Sequence, residues 1–384
     1  MAELQRSLGF NDLMTFGVAA IMGSGGFNLI GDGILAGGAQ FPIALAASAA
    51  LFQGASLTYQ HAYNEYKSNT SESDLIHAQF GPAAATVSSI TIPLFNIISV
   101  SVILVICGKL LFPTESHQIT FALCILTAMS AFSLQGIDVN KNLINIFGYA
   151  TIALLAFVSL LGFGDIPSTL PQAIRSPPDL TKSMLYFFFV LAGFDTLIKF
   201  TEEARDPDRD IPRSFYASNA LSTLLTVGVC LSFLMVFTHH RFTDNENIMA
   251  RIVESVLGPT AGEATGFLSI LLMIVTTFIV FLATTRYMYG LGKGIPCLGF
   301  FTELNEKKVP WKAVLATFVI AAVGILNNNI FTLVKMSDMA LIVTLLLVSA
   351  AATKLQLAKG KAPLVEAATT AGLAALLSVS YNSS

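Results

Sequence analysis

Inside a lipid bilayer water cannot satisfy the backbone, so a spanning segment must close its own hydrogen bonds. The stretch from Ala19 to Gly38, AAIMGSGGFNLIGDGILAGG, is apolar enough to lie in a bilayer yet carries Gly23-Ser24-Gly25-Gly26 in its middle. A glycine in a helix interior costs about 1 kcal/mol relative to alanine, so three in four residues weaken the helix locally. Opened backbone at membrane depth is tolerated only where it is buried in protein or lines a cavity. This stretch is therefore expected to be a broken transmembrane helix whose free N–H and C=O groups hold a ligand.

The rest of the chain suits such a helix. Its 384 residues are 54% hydrophobic and 12% charged, with a mean hydropathy of +0.70; a soluble domain carries about 25% charged residues. An integral, multi-pass membrane protein follows, and a net charge of −3 gives no reason to expect nucleic acid. At roughly 20 residues per span, there is room for about eleven spans and no sizeable soluble domain. The N-terminal MAELQRSLGFND lacks the pattern of a cleaved signal, so nothing is expected to be removed. Cys107, Cys124, Cys230 and Cys297 are scattered without a CxxC pair and read as packing residues. No catalytic triad, HExxH or cofactor fingerprint occurs, which argues against an enzyme. Gly290 to Gly294 lacks the spacing of a phosphate loop, and His239-His240 has no third metal ligand. No cofactor, metal or partner subunit is expected beyond a coupling ion.

The expected spans run over about 11–38, 41–63, 82–111, 118–134, 143–163, 181–204, 213–238, 263–293, 311–326, 331–357 and 364–380. Polar stretches at 64–79 and 239–259 and a Pro-rich linker at 165–179 separate them. The segment 239–259 is polar at its start and partly amphipathic, and Pro212 suits the first turn of the seventh span. With the N-terminus inside, fifteen of the 21 basic residues fall on the cytoplasmic side and six on the other. The positive-inside rule then places the N-terminus in the cytoplasm and, after eleven spans, the C-terminus outside.

A second interruption lies in the sixth span, where FFFVLAGFD meets Gly193 and then Asp195 part-way across. The breaks near Gly25 and Gly193 are about 168 residues apart. Each opens a five-span unit, about 11–164 and 180–357. Matching interrupted helices in two halves are the sequence pointer to a transporter site. Because five is odd, the second unit enters from the opposite side, an inverted repeat within one transmembrane domain, 1–384, with an extra helix at about 364–380.

At the first break, the amides that start the outer half-helix suit a carboxylate. The carbonyls of Ala20, Ile21 and Met22 suit an ammonium. Gly33 and Gly37 fit the simpler reading of close helix packing. In the sixth span the matching carbonyls are those of Phe189 to Ala192, with an aromatic ring as a lid. A carboxylate within a span is a functional hypothesis by default; Asp195 is either a gating or proton-linked group or one half of a pair within the bundle.

The segment FFVLAGFDTLIKFTEEARDPDRDIPRS resembles the sixth helix and following loop of the amino acid–polyamine–organocation family. GSGGF at Gly23 to Phe27 resembles that family's G-S-G-I-F, with Gly26 in place of an aliphatic residue. ATTRYMYGLGKGIP, Ala283 to Pro296, is similar to the end of its eighth helix, and Val309-Pro310 to the Thr-Pro opening its ninth. The resemblance covers essentially the whole chain. It implies an all-α, LeuT-like five-plus-five bundle with discontinuous first and sixth helices. It also implies transport of amino acids or related amines by alternating access. Carried over residue by residue, carboxylate-binding amides fall on Ser24, Gly25 and Gly26 beside Gly23. Ammonium-binding carbonyls fall near Ala20 and Ile21 in the first span and near Phe189 and Ala192 in the sixth, where Leu191 and Gly193 are further binding candidates, and the closing aromatic falls on Phe189. Many proton-coupled members carry a lysine in the fifth helix where this chain has Thr151. Thr284 and Thr285 lie where sodium-coupled relatives supply hydroxyls, although such hydroxyls also bond the preceding turn. The coupling ion, Na+ or H+, stays open, and most members have a twelfth span.

The expectation is thus a secondary active transporter or exchanger of amino acids, embedded in membrane lipid. A polyamine or organic-amine carrier and a non-transporting amino acid sensor are the alternatives. The sequence shows no obvious buried acidic cluster, which points to neutral side chains; Asn96 in the third span is a further candidate contact.

Overall fold

A computed structural model describes residues 3–23, 25–161, 178–236, 247–327 and 329–382. Ser24, most of the Pro-rich linker and the His239-His240 pair lie outside the described residues. Among those described there are fourteen α-helices and no strand. The first span is divided into α1 (Phe10–Met22) and α2 (Gly25–Gly37). Then come α3 (Phe41–Tyr66), α4 (Ser71–Phe80), α5 (Pro82–Leu111), α6 (Glu115–Ser133) and α7 (Ile137–Leu161). The sixth span is α8 (Leu180–Leu191) followed by a 3₁₀ helix, Phe194–Glu203. The remainder is α9 (Pro207–Val236), α10 (Ile248–Leu257), α11 (Pro259–Gly294), α12 (Trp311–Asn327), α13 (Ile330–Ala358) and α14 (Leu364–Asn382). Among the described residues, seven helical segments are long and apolar enough to cross a membrane, and α1, α12 and most of α14 are shorter apolar helices.

Polarity is inside out. Ile146, Leu160, Leu224 and Phe267 lie mostly exposed on the outer surface, whereas Glu72, Lys199, Glu203 and Arg286 are fully buried. In water such an outer face would be a liability; in lipid it is the solvent-matched one.

The ends of the elements follow from local chemistry. Asp12 accepts the backbone N–H of Gly9 at 2.9 Å and so caps α1. Asp179 caps α8 by accepting the N–H of Lys182, also at 2.9 Å. The stretch 64–79 is not merely a polar connection: α4 forms there, with Asp74 accepting the Ser68 and Thr70 hydroxyls at its start. Its polar side of Ser71, Glu72 and Ser73 is turned into the bundle, not to water. In α10, Ile248, Met249, Ile252 and Val253 are buried, and Asn247 caps the helix. The seventh span starts earlier than expected. Pro207 takes the opening position, where its fixed φ suits a helix, and Pro212 lies inside α9.

One corner occurs twice. At Phe80-Gly81-Pro82, α4 turns into α5 through Gly81 at φ +83°, and at Leu257-Gly258-Pro259, α10 turns into α11 through Gly258 at φ +91°. Each pairs a positive φ open to glycine with a proline suited to the first helical turn. The two halves meet where α2 packs along α8. The Ser183 hydroxyl donates to the Gly33 carbonyl at 2.6 Å, and a Cβ on Gly37 would fall 2.6 Å from Ser183 Oγ. A Cβ on Gly33 would fall 3.1 Å from the Phe187 ring. These are the small-residue contacts expected of Gly33 and Gly37.

Candidate functional site

The first break brings a carbonyl to a hydroxyl. α1 ends as the Gly23 amide donates to Ala19 O at 3.1 Å, and the Thr276 hydroxyl of α11 donates to the same carbonyl at 2.8 Å. Gly23 leaves room for that side chain: a Cβ there would lie 1.4 Å from Thr276 Oγ1. α2 starts at Gly25, so the amides of its first turn have no intrahelical acceptor.

The second break is built on one glycine. α8 ends at Leu191, Ala192 is extended, and Gly193 adopts φ +120° before the 3₁₀ helix begins. A Cβ on Gly193 would fall 2.8 Å from the Ala20 carbonyl oxygen. The two broken helices thus touch backbone to backbone, between Ala20 and Gly193. The Phe189 carbonyl accepts the Ala192 amide at 3.2 Å and keeps a second lone pair.

Against this junction lies a cavity of about 290 Å³, near the lower end of the ~300–1,000 Å³ usual for small-molecule sites. Ala20, Phe189, Ala192, Gly193, Asp195 and Asn96 line it, all singled out from the sequence. Ile21, Gly23, Gly26 and Leu191 are buried and are not among its lining residues. Sequence reasoning missed Ser99 on α5, Tyr186 on α8, Thr276 on α11 and Ser337 and Asp338 on α13. Asp338 could have been found by the same signal as Asp195, a carboxylate inside an apolar span.

Asp195 has a partner. Lys199, fully buried, sits 3.4 Å from Asp195 Oδ2, bonds Glu72 of α4, and faces the Tyr59 and Tyr287 rings at 5.7 and 5.3 Å. Burial pushes the Glu72 carboxyl above its ordinary range, while the Lys199 charge pulls it down. Farther along the 3₁₀ helix, Glu203 takes Arg286 of α11 in a two-pronged pair at 3.0 and 3.1 Å, both buried. The backbone of Glu203 also accepts the amides of Ser7 and Leu8. From the cavity to the N-terminal segment, this 3₁₀ helix is thus held by buried ion pairs.

The hydroxyls of Thr284 and Thr285 lie about two helical turns beyond Thr276. Thr284 donates to Val280 O at 2.8 Å and Thr285 to Leu282 O at 2.7 Å, and Thr285 accepts from Arg286 at 3.0 Å. Thr151 likewise bonds the Phe147 carbonyl at 2.9 Å.

A sequence profile described as amino acid permease matches residues 7–381, nearly the whole bundle. The chain belongs to this family. Over 254 residues it is 27% identical to the uncharacterized amino acid permease YecA of Bacillus subtilis (strain 168), a stretch covering 62% of this chain and 58% of YecA. The matched part is therefore less than two thirds of that relative's length. Over 371 residues it is 22% identical to the branched-chain amino acid permease BcaP of the same organism, covering 89% of this chain and 78% of BcaP. The chain is accordingly a multi-pass membrane protein of a permease family, not an enzyme.

Proposed function

We propose that this permease is a secondary active transporter or exchanger that binds an amino acid where its two broken helices meet. The amino acid is carried across the membrane by alternating access. The observation that carries the reading is the backbone contact between Gly193 and Ala20 at the wall of a 290 Å³ cavity. There the carbonyls of Ala20, Phe189 and Ala192 suit the ammonium group, and the amides of Gly25 and Gly26 at the start of α2 suit the carboxylate. Phe189 covers the ligand.

A five-plus-five inverted repeat of eleven spans, forming one domain, is supported by two features. Each half has one broken helix, and each has one Gly-Pro corner leading into a long helix. In the cycle the broken helices, with α3 and α9, rock against α5, α6, α11 and α12. The N-terminus lies in the cytoplasm, and the buried pairs of the 3₁₀ helix close the cytoplasmic path. Counterflow of labelled amino acids in proteoliposomes, with and without sodium and a pH gradient, tests the reading and identifies the coupling ion. Saturable uptake stimulated by substrate on the far side is expected. Saturable binding with no flux contradicts it and favours a sensor.

A further inference from the structure

We infer that the substrate is an amino acid whose side chain carries an amine, and that Asp338 on α13 is the residue that selects it. This rests on the proposed binding of the backbone-like part of the amino acid at the junction of the two breaks. Two charged side chains line the cavity, Asp195 and Asp338, and both are acidic. Asp195 lies 3.4 Å from the Lys199 ammonium, which it shares with Glu72. Asp338 has no such partner: among the described residues no hydrogen bond or ion pair reaches its carboxylate. A carboxylate within an apolar span is expensive unless a cation meets it.

The charge balance at the junction determines where that cation comes from. An amino acid's own ammonium and carboxylate are matched by the carbonyls of the breaks and the amides of α2, so with a neutral side chain only a proton compensates Asp338, whereas a side-chain ammonium pairs with it directly. Its place in the fold supplies the rest of the geometry. Asp338 belongs to the wall made by α5 and α13, which Ser99 and Ser337 join through a hydroxyl contact of 2.8 Å. The breaks form a different part of the lining, with Ala20 and Gly193. A ligand held by its head group at the breaks thus presents its side chain to a lining that includes Asp338. Apolar lining from Phe95, Val102 and Ile103 takes the methylene stem, as apolar surface takes a lysine stem elsewhere. The expectation of a neutral side chain gives way here because the compensating charge is one isolated carboxylate and not a cluster.

The test compares lysine with norleucine, which has the same four-carbon side chain without the ammonium, in counterflow with the full wild-type chain in proteoliposomes. Lysine is expected to be at least about tenfold more effective than norleucine, because a buried polar group left unpaired strongly penalises the analogue that cannot meet it. Asp338→Asn removes that preference while Asp338→Glu keeps it. Equal or better exchange of norleucine by the wild type overturns the proposal while leaving amino acid transport intact. Cadaverine exchanging as well as lysine overturns the amino acid half of it. If none of the common amino acids exchanges, the transport reading itself fails, and this inference with it.

Discussion

Gly193 answers two demands that no other residue meets together. At φ +120° a side chain is strained, and a Cβ would press on the Ala20 carbonyl at 2.8 Å. Gly193→Ala is therefore expected to cost about 3 kcal/mol, strain and overpacking combined, and to abolish amino acid binding, because the displaced carbonyl is part of the proposed ammonium site. Thermal unfolding in detergent with parallel equilibrium binding checks this; a variant that melts and binds like the parent refutes the role. Glycine and aspartate inside apolar runs were visible in the sequence because both are out of place in lipid. Thr276 was not, since threonines recur along α11 and periodicity alone does not show which turn faces the end of α1. Thr284 and Thr285 share its chemistry at a different depth. Lys199 was likewise overlooked, although it stands four residues after Asp195, a spacing at which side chains on a helical surface meet.

Among the elements, the 3₁₀ helix Phe194–Glu203 has the most to hold it. Phe194 is enclosed by Phe52, Tyr59 and Phe215 at centroid distances of 5.2 to 5.9 Å, and Glu203 anchors the far end through Arg286. Removing one member of that pair strands a buried charge, so Glu203→Ala is expected to destabilise by about 3–5 kcal/mol. Replacing Glu203 and Arg286 together by leucine and methionine should recover most of that loss. A double variant no more stable than the single one contradicts the view that the uncompensated charge is the cost. The broken spans were readable as elements, and their boundaries mostly within a few residues. The helical form of 71–80 was not, because its buried polar side is matched by Lys199, more than a hundred residues away. The repeated Gly-Pro corner was present in the sequence at 81–82 and 258–259 and is intelligible only beside the positive φ angles that require it.

At the scale of the whole molecule, the charge asymmetry and the two breaks yield an orientation that surface labelling can read. Lys361, in the turn between α13 and α14, and Lys109, at the end of α5, are both exposed and belong to opposite sides in the eleven-span arrangement. A cysteine at 361 should react only with reagent on the cytoplasmic side and one at 109 only from outside; reaction of both from the same side would dismantle that arrangement. The cavity is where fold and function join, since it draws its walls from α1, α2, α5, α8, α11 and α13 together with the 3₁₀ helix. Its protection by substrate is the most direct test that amino acids bind there. With the exposed Cys124 and Cys297 replaced by alanine, Ser99→Cys places a thiol on the cavity wall, and its modification is timed with each common amino acid added singly. Occupancy of the cavity predicts that at least one amino acid slows labelling of this thiol in a saturable way. Labelling that proceeds at the same rate with every one of them places the binding site elsewhere.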